Sequence, residues 1–83
     1  MKDNRFKKSE ELGSVIKRRR KSLKLTQKQL AEFAGCGVAY IYMLEMGKPT
    51  IRIDKLLDVL RILGLGLRVE ENKEGLKIDE RLK

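Results

Sequence analysis

The sequence predicts an all-α domain, four or five short helices in one bundle, closed by a short C-terminal β element. Three observations carry this reading. Apolar residues recur at helical spacing in successive segments, each ended by glycine or a polar turn. Aromatic residues make up only 5% of the chain and there is one proline, which argues against a β-sandwich. After Gly64 the helical spacing gives way to strict alternation.

The elements follow in order. Met1 to Lys8 is polar and basic and reads as a flexible lead. Ser9 is an N-cap candidate, and Glu10 and Glu11 suit a first helical turn. Leu12, Val15, Ile16 and Leu23 then fall near one face, with Lys17, Arg18, Arg19, Arg20 and Lys21 covering most of the rest. This helix should end near Lys24. Thr26 opens a second helix, with Gln29 in the partner position of a capping box. Leu30, Ala31 and Ala34 form its inner stripe, and Gly35 stands where a helix end takes a left-handed residue. A third helix runs from about Gly37 to Met46, with Ile41 and Leu44 inward. Gly47 ends it and Lys48-Pro49 makes the turn. A fourth runs from about Arg52 to Leu63, with Leu56, Leu57, Leu60 and Leu63 inward, and Gly64 and Gly66 stop it.

In the tail, Leu65, Leu67 and Val69 alternate with Gly66, Arg68 and Glu70, and Leu76 and Ile78 alternate again after Asn72 to Gly75. A lone short strand is not stable in water, so this one needs a partner. Either the tail closes on itself as a hairpin, or the strand pairs with its copy in a second subunit, which a two-fold axis makes self-complementary. The expected organisation is a basic lead over 1–8, a helical domain over 9–64 and a strand-bearing dimerisation tail over 65–83.

Composition narrows the function. The 83 residues make one small domain, 41% apolar, whose single Cys36 allows no internal disulfide, so packing must stabilise it. The net charge is +8, and all of the excess lies at one end. Residues 1–28 carry 11 Lys/Arg against 3 Asp/Glu, while 29–83 carry 9 of each. Such a block points to a polyanionic partner: DNA, RNA or an anionic membrane. No apolar run approaches the roughly 18 residues of a membrane span, and Met1 to Lys8 leads into no signal-peptide core. With a lone cysteine, this places the chain in a reducing cytoplasm. The absence of histidine beside one cysteine excludes a Cys/His zinc site. No phosphate-binding loop and no paired carboxylates stand out, so neither enzymatic activity nor a cofactor is expected. Cys36 reads as a small packing residue in a turn.

Two short helices joined by the tight Gly35-Cys36-Gly37 turn form a helix-turn-helix, whose second helix enters the major groove of double-stranded DNA. The small Ala31 lets the two helices approach closely. With Ile41 and Leu44 inward, Val38, Ala39, Tyr42 and Met43 lie outward. An apolar outer face is odd in water but suits base edges and thymine methyls. RNA or membrane binding through Lys17 to Lys24 leaves the ordered turn unexplained.

On these residues the chain resembles the XRE/Cro-type helix-turn-helix of phage repressors and bacterial regulators. TQKQLAEFAG followed by YIYMLEMGKP carries the likeness, with Arg20, Thr26-Gln27, Leu30-Ala31, Gly35, Ile41, Glu45-x-Gly47 and Leu63-Gly64 as its marks, over about Leu12 to Leu65. The resemblance implies a lambda-repressor-like bundle and a sequence-specific DNA-binding function. It makes Gly37, Val38, Ala39, Tyr42 and Met43 base-facing, although many relatives carry Ser, Gln, Arg or Lys there, and here only the Tyr42 hydroxyl is a strong hydrogen-bonding reader. It implies phosphate contacts for Gln27, Lys28, Lys48 and Arg52. A solvent-facing Gln27 is the plainer reading of that residue. Tyr40 either meets a phosphate or packs beside Phe33. Arg20 and Glu45 match a structural ion pair between helices 1 and 3.

The Lys48-Pro49-Thr50 turn and the LLDVLRILGLGLRVEEN ending further resemble HipB-type antitoxins, small dimeric repressors of toxin–antitoxin operons. That implies a bacterial, nucleoid-associated homodimer that represses its own operon and binds a cognate toxin, with Leu65, Leu67 and Val69 as its dimer strand. Two other readings stand beside it. One is a phage-type or other XRE regulator with no toxin partner. The other is an interaction module whose main task is neutralising a toxin.

Overall fold

A computed structural model describes the backbone of residues 4–48, 52–69 and 76–79, and the side chains of 8–48 and 52–69. Within these residues the chain forms four helices, α1 (Asn4–Ser22), α2 (Gln27–Ala34), α3 (Val38–Met46) and α4 (Ile53–Leu63), then strands β1 (Gly66–Val69) and β2 (Leu76–Asp79). The all-α bundle with a C-terminal β element is as expected, with four helices rather than five. No described helix is long and apolar enough to cross a membrane.

One expected boundary and one expected inner face are corrected. α1 begins at Asn4, so residues 4–8 of the expected flexible lead are helical and Ser9 is interior rather than an N-cap. Met1 to Asp3 lie outside the described residues. The inner stripe of α4 is Leu56, Val59, Leu60 and Leu63, while Leu57 is 49% exposed. A stripe at i, i+3, i+4 and i+7 takes Val59 in preference to Leu57, which lies off that face. Leu23 follows the end of α1 and is exposed.

The core forms where the inner stripes meet. Ile16 of α1, Leu30 of α2, Ile41 and Leu44 of α3, and Val59, Leu60 and Leu63 of α4 are almost completely buried. Leu65 closes the core from beyond α4, and Leu12, Val15, Cys36, Tyr40 and Leu67 pack around it. Each full burial of such an aliphatic side chain removes about 1.5–3 kcal/mol of unfavourable hydration, the main favourable term available to a domain of this size.

All four helices end alike. After each one, a residue in or near the left-handed region sends its N–H back three residues and the next N–H back five. The pairs are Lys24 to Lys21 and Leu25 to Arg20, Gly35 to Glu32 and Cys36 to Ala31, Gly47 to Leu44 and Lys48 to Met43, and Gly64 to Arg61 and Leu65 to Leu60. Three of these ends use glycine, and Lys24 alone adopts a left-handed φ of 60° with a side chain. The chain thus reverses abruptly and keeps its connections short.

The tail closes as an antiparallel hairpin within the chain, with Gly66 opposite Asp79 and Val69 opposite Leu76. Of the two arrangements left open by the sequence, the intrachain pairing is the one formed. One edge of β1 is left without an intrachain partner among the described residues.

α1 crosses α3 at unusually close range, and Gly13 is the reason. A Cβ at Gly13 would lie 2.4 Å from the Leu44 carbonyl oxygen and 2.8 Å from that of Glu45. Nothing flexible stands there to yield, because both atoms are backbone. Gly13→Ala is expected to push the helices apart and lower stability by about 2–3 kcal/mol, in the range of core overpacking. The midpoint of urea unfolding measures this, and an unchanged midpoint contradicts the close crossing.

Candidate nucleic-acid interface

The helix-turn-helix is assembled from local signals. Thr26 caps α2 by a complete capping box: its hydroxyl accepts from the Gln29 N–H at 3.0 Å, and the Gln29 side-chain oxygen accepts from the Thr26 N–H at 2.9 Å. Gly35, at φ 72°, turns the chain out of α2. From α4, the Lys55 ammonium donates to the Gly35 carbonyl at 2.9 Å and pins the turn. Cys36 is half-buried beside it. Burial pushes its thiol up, with Lys55 pulling down and Asp58 adding to the rise, so it stays a neutral packing group.

α3 then presents two opposite faces. Ile41 and Leu44 are anchored in the core. Val38 (48%), Tyr42 (53%), Met43 (41%) and Met46 (55%) are exposed, together with Gly37 and Ala39. All five residues expected to face bases therefore lie outward. Met46 joins them, and sequence reasoning missed it although its spacing of three and four from Met43 and Tyr42 signalled the same face. Gly37 is the N-cap and supplies no side-chain hydrogen bond.

The orientation of this face depends on one buried ion pair. The Arg20 guanidinium donates to both Glu45 carboxylate oxygens, Nε to Oε2 at 2.6 Å and Nη2 to Oε1 at 3.1 Å. Its Nη1 donates to the Leu25 carbonyl at 2.7 Å, near the end of the α1–α2 connection and just before the Thr26 cap. The side chains are only 9% and 3% exposed. Gln27 completes the network by donating its amide to Glu45 Oε1 at 3.0 Å. The expected pair is thus present, as the bidentate fork that arginine geometry allows.

The phosphate candidates divide. Lys28 and Lys48 are exposed. Gln27 is not the solvent-facing amide of the plainer reading, because Glu45 holds one of its amide hydrogens. The other hydrogen is the one left to meet an anion. Arg52, the N-cap of α4, is exposed but bonded to Asp54 at 2.7 Å, and this bond lowers the Asp54 carboxyl below its ordinary range. Tyr40 is engaged within the fold. It packs against the core, and its hydroxyl donates to the Arg52 carbonyl at 2.8 Å. A phenol has one hydrogen to give, so in this state none remains for a phosphate. Arg19, overlooked in the sequence as one more basic residue, donates from Nε to the Leu63 carbonyl at 2.7 Å and caps α4. Of the expected dimer strand, Leu65 is corrected: it precedes β1 and is buried in the chain's own core. Leu67 is half-buried against that core, and only Val69, 77% exposed, is open to a partner.

A pair of short helices joined by a tight turn, the second with an exposed and uncharged outer face, on a basic chain, defines a DNA-binding helix-turn-helix protein. Comparison with known proteins agrees. Residues 16–69, well over half of the chain, match the helix-turn-helix family HTH_3. The chain belongs to this XRE-type family. It is also 40% identical over 65 residues to y4mF of Sinorhizobium fredii, named an uncharacterized HTH-type transcriptional regulator, covering 78% of this chain and 86% of that protein.

Two predictions follow from the site. Glu45→Ala leaves the Arg20 charge buried without its partner, so a loss of about 3–5 kcal/mol is expected. Replacing both residues by methionine should restore much of that loss, since the double change removes the stranded charge. Chemical denaturation of the parent and the two variants decides, and a Glu45→Ala stability equal to the parent contradicts the buried pair. Burial, reinforced by Cys36 and Asp54 and opposed by Arg52, pushes the Tyr40 phenol from 10.0 up to about 12. The folded pKa lies above the unfolded value, so the stability it supports is present below pH 10 and lost as the pH rises towards 12. An ultraviolet phenolate titration should show a step near 12 that Tyr40→Phe abolishes.

Proposed function

We propose that this protein is a transcriptional repressor that binds operator DNA sequence-specifically as a dimer. The single observation behind this reading is the outer face of α3, where Val38, Tyr42, Met43 and Met46 stand exposed while the opposite edge is locked in the core. Large apolar groups held at the surface of one rigid helix are costly in water without a partner. The basic excess of residues 1–28 and the exposed Lys28 and Lys48 supply sequence-independent attraction to phosphate. In the dimer, two copies of α3 occupy successive major grooves about 34 Å apart. The open edge of β1 with its exposed Val69 is the proposed contact between subunits.

The finer reading is that the chain is a HipB-type antitoxin, cytoplasmic, repressing its own operon and binding a toxin. Its support is the likeness of the Lys48-Pro49-Thr50 turn and of the ending from Leu56 to Asn72. A regulator without a toxin partner is the second reading, and the name of the Sinorhizobium relative, an HTH-type transcriptional regulator, fits either one. A toxin-like gene adjacent to this one separates the two.

A gel-shift titration with the chain's own upstream DNA, against scrambled DNA and RNA, tests the main proposal. Affinity should fall linearly with salt on logarithmic axes, and a flat plot contradicts phosphate neutralisation. Gly37→Asp isolates function from folding. An aspartate N-cap stabilises a helix by a few tenths of a kcal/mol relative to glycine, and a Cβ there meets nothing within 4 Å. The variant should melt no lower than the parent yet lose DNA binding, because its carboxylate faces the polyanion. Val69→Lys should sediment as a monomer, and a persisting dimer removes the strand from the interface.

A further inference from the structure

Building on the proposal that α3 lies in the major groove, we infer that this chain selects its sites through the C5-methyl groups of thymine, and so discriminates thymine from uracil at the bases it covers. Reading of guanine takes Arg or Lys, and reading of adenine takes Asn or Gln, each by paired hydrogen bonds to base edges. The outer face of α3 has none of these. Its sole charged residue, Glu45, is turned inward, with a side chain 3% exposed and engaged by Arg20 and Gln27. Gln27, an amide close to α3, is tethered by that same bond. What remains outward is Val38, Ala39, Met43 and Met46, with the Tyr42 hydroxyl as the one strong hydrogen-bonding group.

The apolar feature that base edges offer in the major groove is the thymine methyl. An apolar face therefore has one class of base feature to bury. Gly37 fits the same purpose. Its φ of −80° suits any residue and a Cβ there would meet nothing within 4 Å. The fold makes no demand for glycine at this point, whereas close approach of the helix start to a base pair does. Lysines supply affinity without sequence preference, which leaves the methyl contacts to supply the preference.

The test uses the full chain and a duplex enriched from a randomised pool. Replacing each covered thymine by deoxyuridine should weaken binding about fourfold, the worth of one buried methyl group. Placing 5-methylcytosine rather than cytosine at such a position should recover affinity. Removing purine N7 acceptors should leave binding nearly unchanged. A chain carrying both Val38→Ala and Met43→Ala should lose the thymine–uracil difference while keeping its melting temperature and its salt dependence. If an enriched duplex binds equally well with uracil, or depends on purine N7, the methyl inference is overturned while the proposed function stands. If no sequence is enriched, both are overturned.

Discussion

The Arg20–Glu45 pair is the interaction on which the site depends. It joins α1 to α3, and through the Leu25 carbonyl and the Gln27 amide it also grips the connection into α2 and the first residue of α2. Three of the four helices are thus referred to one guanidinium. Burying a pair of charges adds little net stability, because desolvation offsets most of the attraction. Its value here is directional. A planar fork meeting a carboxylate tolerates little rotation, so α3 is held about its own axis, and that rotation decides which residues face outward. Packing of Ile41 and Leu44 alone leaves such a short helix freer to turn.

The same device, a side chain donating to a distant backbone carbonyl, recurs at every connection between the helices and into the tail. Arg20 binds Leu25 after α1, Lys55 binds Gly35 after α2, Tyr40 binds Arg52 before α4, and Arg19 binds Leu63 at the end of α4. Carbonyls at helix ends and in the connections lack or have room for a partner, the Arg52 carbonyl taking the Tyr40 bond beside that from the Leu56 N–H. A small domain with little core satisfies them with long polar side chains that also tie elements together. Three of these four donors are Arg or Lys, so part of the cationic composition serves the fold rather than the nucleic acid.

Close approach is the second constraint. Gly13 lets the α1 backbone rest on the carbonyls of Leu44 and Glu45, and a Cβ at Gly47 would lie 2.8 Å from Glu10 Cα. These two glycines set α1 against the far end of α3, where the ion pair then closes. Sterics fix the distance between the helices and the fork fixes the rotation. Together they present an uncharged face on a strongly basic molecule.

Local sequence determined the helices, the ends of α2 and α3 and the outward face of α3, because apolar spacing, a capping box and left-handed glycines act within a few residues; the start of α1 at Asn4 was not among them. Thr26 with Gln29, Gly35, and Ile41 with Leu44 were legible for that reason. The Arg20–Glu45 pair was legible only through family likeness, since nothing local links residues so far apart. Tertiary structure alone decided the rest. Leu57 and Val59 are both apolar residues of α4, and only the position of the other helices buries the second and exposes the first. Tyr40 was left open between a phosphate contact and packing beside Phe33 until Arg52 was brought to it, and Arg19 was one cation in a run until the end of α4 came within its reach. Gly13 carries no apolar or charge signal, because its function is the space it leaves for a backbone 31 residues further along. The partner of β1 was likewise undecided by alternation, which specifies a strand and its faces but not the chain that supplies the hydrogen bonds.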